Sequence, residues 1–267
     1  MYYGLINSMN RAVVSSYTTR TTAFATATGI TDTTILGALN TFDLGLISNG
    51  LDTKMKALYP FVGGTASTHK YNFMDARDLD VAFRLQFNGG GTFSNNGYKP
   101  NGTNAYANTY FNPSVETSVS LNDIAIGTYL RDNVDGKGDI GAYPDTGAGG
   151  VSIMARYTGE TNAYYRCNSG LDITISGVTT AVGFNIISNP SANLRKFYKN
   201  NSIINTNTST TTGIEIDGIM MIGKIASSLY SGRETAFSFI SSGLSDTDAS
   251  NLYTLTQAMQ TTLARNV

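Results

Sequence analysis

The chain has 267 residues, 41% hydrophobic and 10% aromatic, which supplies a full core and excludes a disordered polypeptide. Only 14% of residues are charged and the net charge is -1, so no basic field exists to neutralise phosphates and nucleic-acid binding is not expected. One Cys (Cys167) and one His (His69) exclude an internal disulfide, a thiolate zinc site and paired-His chemistry.

Residues 1–30 begin MYYGLINSMNRAVV and turn Thr/Ser/Ala-rich. Hydroxyl side chains compete with backbone hydrogen bonds and weaken helices, so this span reads as a tethering arm or as a simple flexible terminus. It lacks the basic start and apolar core of a secretory signal. No apolar run approaches the ~18 residues of a membrane span, so no membrane insertion is expected. Folding in a reducing cytoplasm is.

Residues 31–58 read as a short helical segment. Thr31 and Asp32 can cap a helix over 33–40, and Leu44, Leu46, Leu51, Met55 and Leu58 continue a helical pattern over 41–58, with a break at Gly50.

From residue 59 the period changes to two. VAFRLQF places Val81, Phe83, Leu85 and Phe87 on one face of a strand. Further strands are expected in SVSLNDIAIGTYL, GGVSIMARY, AYYRC, LDITIS, AVGFNIIS, LRKFYKN, SIINTN, GIEIDGIMMIG and TAFSFIS, separated by Gly-, Pro- and Asn-rich turns. Many short strands without intervening helices predict an antiparallel sandwich or barrel over 59–267. A closing helix over about 245–264 is expected, with Ser245 as N-cap, Asp246 and Asp248 in the first turn, and Leu252, Leu255, Met259 and Leu263 as its apolar stripe. That stripe fits packing on the sandwich or on a neighbouring subunit.

The hairpin LRKFYKNNSIIN (194–205) resembles the strand–turn–strand unit of laminin-G-like, concanavalin A-like jelly rolls, with Asn200-Asn201 as its turn. The span from YSGRETAFSFISSGLSDTD onward resembles the close of those domains. The resemblance implies a mainly β, concanavalin A-like jelly-roll sandwich with short N-terminal helices and a C-terminal helix. Residues 55–114 resemble a block of tailed-bacteriophage virion proteins, through YPFVGGTASTHKYN and PNGTNAYANT, and the closing TTLARNV is similar as well. This second resemblance implies a non-enzymatic structural virion protein, a surface fibre, decoration or tail appendage. It would be anchored through residues 1–30, form homodimers or homotrimers, touch other virion proteins, and be assembled in the host cytoplasm. No cofactor is implied.

Laminarinase-type hydrolases of the same sandwich class carry E-x-D-x-x-E on one strand. Here Glu215 and Asp217 supply the first two carboxylates, but Met220 stands where the second Glu is needed, so no catalytic residue is expected. Asp132, Asp135 and Asp139 in RDNVDGKGDIG are weak cation candidates, because an EF-hand register would place Arg131 and Ala142 at ligand positions. His69 has no evident catalytic partner and reads as a hydrogen-bonding residue of a turn or interface. Asp75, Asp78 and Asp80 with Arg77 and Arg84 read as surface ion pairs. Tyrosines cluster near turns and strand ends: Tyr129 and Tyr157, and foremost Tyr98, Tyr106, Tyr110, Tyr143, Tyr164 and Tyr165 as ligand or interface candidates. Tyr-rich loops on a lectin-like sandwich make host-glycan binding the alternative function.

Overall fold

The computed structural model describes residues 17–120, 122–143, 149–167, 172–210 and 218–267. Helices α1 (Thr19–Thr28) and α2 (Thr33–Ser48) precede strand β1 (Met55–Tyr59), a single turn α3 (Ala66–His69) and a 3-10 turn at Asp80–Ala82. Then come β2 (Gln86–Asn88), β3 (Thr92–Ser94), β4 (Gly97–Lys99), β5 (Tyr106–Asn108), β6 (Ile124–Leu130), β7 (Ile140–Ala142), β8 (Val151–Met154), β9 (Asn162–Cys167) and β10 (Ile173–Ser176). The chain closes with β11 (Gly183–Ser191), β12 (Leu194–Lys199), β13 (Ser202–Asn207), β14 (Met221–Ile222), β15 (Lys224–Ala226), β16 (Leu229–Tyr230), β17 (Thr235–Ser241) and α4 (Asp246–Thr262).

Two antiparallel sheets face each other. One runs β13-β12-β11-β6-β17-β4-β3, with β1 also paired to β17; the other runs β10-β9-β8-β7-β14-β5-β2. Their inner faces share a core that includes Ile124, Ile126 and Leu130 of β6, Ile153 of β8, and Ala163, Tyr165 and Cys167 of β9. The opposite face of the first sheet carries a second core. Ala125 and Tyr129 of β6 and Phe237 and Phe239 of β17 meet Phe24, Leu39, Phe42 and Leu252 from the helices. The layers are therefore helices, eight-stranded sheet, seven-stranded sheet. With both faces covered, β6 is buried along its whole length, and its sequence IAIGTYL is accordingly apolar almost throughout. Gly127 sits opposite Phe239 in that sheet, and a Cβ there would run into the ring.

The mainly β fold expected from the sequence is the one observed, with differences in particular elements. Part of the span read as a tethering arm is helix α1. Its N-cap Thr18 donates to Asp43 Oδ2 on α2 at 2.6 Å, Arg20 pairs with the same carboxylate, and Phe24 packs edge-on against Phe73 at 5.3 Å. Burial of one apolar side and a cap outweigh the weak helix propensity of Thr. Residues 1–16 lie outside the described residues.

Residues 33–48 form one helix, not two. Asp32 caps it by accepting from Thr34 N at 2.8 Å and Ile35 N at 3.2 Å. The expected helix does not reach residue 58. Gly50, at φ 66°, ends the turn after α2, and Met55–Tyr59 pairs with β17. Leu58 faces the helix-side core while Ala57 and Tyr59 face the inter-sheet core. A strand apolar on both faces imitates helical spacing.

VAFRLQF is also not a seven-residue strand. Residues 80–82 make a 3-10 turn, Phe83 takes φ 57°, and Val81 is 73% exposed. Asp80 accepts from Arg84 Nε at 2.8 Å, and buried Asn72 holds the turn by donating to Ala82 O at 3.1 Å. Specific side-chain bonds here override the alternating pattern. The expected surface pairs Arg77–Asp75 and Arg84–Asp80 are present.

The Asn200-Asn201 hairpin joins β12 to β13, but only Asn200 has positive φ, at 53°. That is the φ pattern of a II′ turn, whereas type I′ needs both central residues positive. The Asn200 side chain accepts from Phe184 N at 2.9 Å, which fixes the turn on β11. The C-terminal helix starts as expected. Ser245 accepts from Asp248 N at 3.2 Å and Asp248 accepts from Ser245 N at 2.9 Å. Its stripe packs on α2 and the sheet of the same chain.

Candidate functional site

Strand β9 splits its side chains by alternation. Ala163, Tyr165 and Cys167 enter the inter-sheet core, so Asn162, Tyr164 and Arg166 belong to the outer face of the seven-stranded sheet. Met154 of β8 pairs with Tyr164 in register and Ser152 with Arg166. Over this face lies a pocket of about 290 Å³, lined by Tyr143, Met154, Tyr157, Glu160, Tyr164, Asp172 and Leu229.

The β8–β9 turn supplies two of those residues. Glu160 N donates to Tyr157 O at 3.1 Å and Gly159 has φ 76°. Positive φ at the third residue is the type II signature, and glycine meets it without strain. The turn sets the Tyr157 ring edge-on to Tyr164 at 5.7 Å. It also brings Glu160 Oε2 to the Tyr164 hydroxyl at 2.6 Å and to Asn162 Nδ2 at 3.0 Å. Donation from Tyr164 first, and from Asn162 second, holds the Glu160 carboxyl below the usual carboxylate range, while the same bond raises the Tyr164 phenol.

Arg166 braces the opposite wall. Its guanidinium stacks on the Tyr143 ring at 3.9 Å, and Nε donates to Asp172 Oδ1 at 2.9 Å. Nη2 reaches the Tyr143 hydroxyl at 2.9 Å. Among the described residues no donor meets Glu160 Oε1 or Asp172 Oδ2. The pocket thus combines apolar ring surface with two carboxylates.

Of the tyrosines expected to act, Tyr143 and Tyr164 come together here, joined by Tyr157. Tyr98 and Tyr165 are core residues at 0% and 1% exposure. This corrects their reading as ligand residues: Tyr165 is Tyr164's chain neighbour and must point to the other face of the strand. Tyr106 lies against Tyr230 at 6.4 Å with Lys224 Nζ over its ring at 4.6 Å. Tyr110 donates to Gln86 Oε1 at 2.9 Å, away from the pocket.

The cation candidates do not converge. Asp139 is fully buried and paired with fully buried Arg233, whose Nη1 lies 3.0 and 2.9 Å from the two carboxylate oxygens. Asp132 takes Lys99 at 2.6 Å, and Asp135 lies 3.7 Å from Arg156. No group of three metal-ligating residues exists among the described residues. His69 is not a hydrogen-bonding turn residue. It is 1% exposed, both ring nitrogens lack partners among the described residues, and it packs edge-on to Phe61 at 5.6 Å and Phe93 at 5.7 Å. Glu215 and Asp217 lie outside the described residues, and Met220 is buried in the core.

The YPFVGG run, the PNGTNAYANT loop and the closing TTLARNV build the frame. Arg265 in the closing TTLARNV donates to Pro60 O at 2.6 Å and Phe61 O at 2.8 Å of the YPFVGG run. Asn101 of PNGTNAYANT accepts from the backbone N–H of Thr103, Asn104 and Ala105, each at 3.0 Å. These motifs tie the chain's end to its early strands and fix a loop.

A larger cleft, about 910 Å³, lies beside α1, and its charges are already paired, Arg20 with Asp43 and Arg77 with Asp75.

No protein-family model matches the chain, and no curated protein sequence does. Solved structures share its fold. The receptor-binding domain of a botulinum neurotoxin C/D mosaic serotype has a TM-score of 0.52 at 12% identity, over 76% of this chain and 51% of that one. A botulinum neurotoxin type C structure, whose cell entry is described as dependent upon interaction with two ganglioside molecules, has a TM-score of 0.54 at 10% identity, over 79% and 53%. The binding domain of neurotoxin DC in complex with rat synaptotagmin II gives 0.51 at 14% identity, over 77% and 52%. The chain spans about half the length of these neighbours. At such identities the likeness defines the fold: a jelly-roll β-sandwich of the concanavalin A-like kind.

Proposed function

We propose that the chain is a non-enzymatic carbohydrate-binding module, holding a sugar ring in the Tyr143–Tyr157–Tyr164 pocket. One observation carries the reading: two carboxylates, Glu160 and Asp172, line the same small pocket as three tyrosine rings. A sugar presents hydroxyl donors at its edge and apolar C–H surface on its faces, and this pairing of acceptors with aromatic surface answers both. The volume lies near the bottom of the ~300–1,000 Å³ range of ligand pockets, which suits one ring. Ganglioside dependence in a neighbour of the same fold is consistent with this reading.

Binding fits the electrostatics better than turnover. Glycoside hydrolysis needs a carboxylic acid with a raised pKa, and Glu160 is shifted the other way. Asp172 is tied to Arg166. The test is a glycan array probed with the wild type and with Tyr164→Ala and Glu160→Gln. Binding lost in both variants supports the module. No binding to any glycan, or binding that neither variant changes, overturns it, as does hydrolysis of a bound glycan.

The setting proposed for this module is the surface of a tailed-bacteriophage virion, as a fibre, decoration or tail appendage forming homodimers or homotrimers. The resemblance of residues 55–114 and of the closing TTLARNV supports it, and so does the low charge, which limits repulsion between copies. Mass spectrometry of purified particles and light scattering of the isolated chain test this; absence from particles or a monodisperse monomer refutes it.

A further inference from the structure

A second depression adjoins the pocket. It is a groove of about 530 Å³, lined among others by Lys99, Asn101, Lys137, Thr158 and Tyr230. Two pairs of chain neighbours divide it from the pocket. Tyr157 lines the pocket and Thr158 the groove; Leu229 lines the pocket and Tyr230 the groove. Consecutive Cα atoms are ~3.8 Å apart, so the partition is a single residue thick on both sides.

The partition is held rigidly. Thr158 donates to Gly136 O at 3.2 Å, and Lys137 N donates to Tyr230 O at 2.8 Å. Tyr143 N donates to Ile225 O at 2.9 Å, which fixes the β15–β16 hairpin over the sheet. Lys224 lies over the Tyr230 ring at 5.0 Å. The two depressions differ in chemistry. The pocket offers two carboxylates and three tyrosine rings, whereas the groove offers one ring, the exposed Asp135 carboxylate and the exposed Lys137 ammonium, which has no carboxylate partner among the described residues.

We propose that the ligand is an extended oligosaccharide crossing this partition, with one ring in the pocket and the next in the groove on Tyr230 and Lys137. The inference rests on the carbohydrate reading and deepens it: the site takes a segment of a polysaccharide, not an isolated terminal sugar. A ring already seated in the pocket presents the second at high local concentration, so chain length raises affinity without any new contact in the pocket.

The test uses the full chain and an array printed with mono- to hexasaccharide ladders of β-glucan, arabinan and chitin types, followed by calorimetric titration of the best ladder. The expected result is at least a ~10-fold gain from monosaccharide to tetrasaccharide. Tyr230→Ala should remove that gain and leave monosaccharide affinity unchanged. Lys137→Ala, at an exposed position outside any strand, should reduce the gain without any risk to folding. Equal affinity for monosaccharide and tetrasaccharide overturns the extended site and leaves the pocket reading intact. So does an equal loss at all lengths in both groove variants. Absence of binding at every length overturns both.

Discussion

Replacing Asp139 with Asn leaves the Arg233 guanidinium buried beside a neutral amide. In the native chain both side chains are fully enclosed, and the carboxylate also accepts from Ser231 Oγ at 2.7 Å and Ala155 N at 2.8 Å. Arg233 in turn donates to Val134 O at 2.9 Å and to Arg156 O. The pair therefore gathers the 134–139, 155–156 and 231–233 segments, which carry the pocket and the groove. Removing one partner of a buried pair costs about 3–5 kcal/mol. At about 2–4 °C per kcal/mol for a chain of this size, Tm should fall by roughly 6–20 °C. Differential scanning calorimetry measures it. The double replacement Asp139→Leu with Arg233→Met should recover only part of the loss, because it buries no charge but leaves Ala155 N and Ser231 Oγ without their acceptor. A loss below ~1 kcal/mol refutes the argument. So does a rise in Tm on adding calcium to the wild type that Asp139→Asn abolishes, since that would make Asp139 a cation ligand.

Other outcomes follow from single residues. His69 is lowered to about 3, by burial first and the Arg265 charge second. Its folded form binds a proton far less readily than the unfolded chain, so stability is complete above pH 6.5 and falls toward pH 3 by about 1.4 kcal/mol per unit. In urea titrations His69→Phe should flatten the slope between pH 6.5 and 5, and an unchanged slope refutes it. Asn72 accepts from Leu58 N and Met74 N and donates to Lys56 O and Ala82 O. Asn72→Ala should cost about 3 kcal/mol in urea unfolding, and a change under ~1 kcal/mol contradicts that hub. Burial pushes the Cys167 thiol up to about 12, so it should resist a thiol reagent until the protein unfolds; prompt reaction of the native protein disproves this. Gly159→Val forces a branched side chain onto positive φ, and glycan affinity measured by titration should fall at least ~10-fold, whereas wild-type affinity would clear the turn of its role.

Strands β6, β8 to β14 and β17 are legible because each is short, alternating or wholly apolar, and bounded by a turn, whereas the two- and three-residue strands β7, β15 and β16 are too short to show a period. The C-terminal helix announced itself through Ser245 and Asp248. Met55–Tyr59 imitates a helix because a strand buried on both faces has no period-two signature. VAFRLQF departs from its pattern for the opposite reason: the alternation is present, but Asn72, far outside the heptapeptide, captures its backbone at Ala82, and Arg84 at its centre turns back to Asp80 just ahead of it. The pocket was half visible. Tyr143 and Tyr164 stood out as tyrosines near strand ends, and alternation along NAYYRC separates Tyr164 from Tyr165. Glu160 and Asp172 carried no motif. They matter only because a type II turn and a buried arginine bring them to the same hollow, and only the fold supplies that proximity.

The stack of layers gives the molecule two unlike poles. Helices α1, α2 and α4 cover one side of the eight-stranded sheet, and the pocket opens on the far side of the other sheet. Polypeptide ahead of Tyr17 joins the body at the helical pole. A mount made there would leave the face that carries the Tyr143–Tyr157–Tyr164 pocket unobstructed.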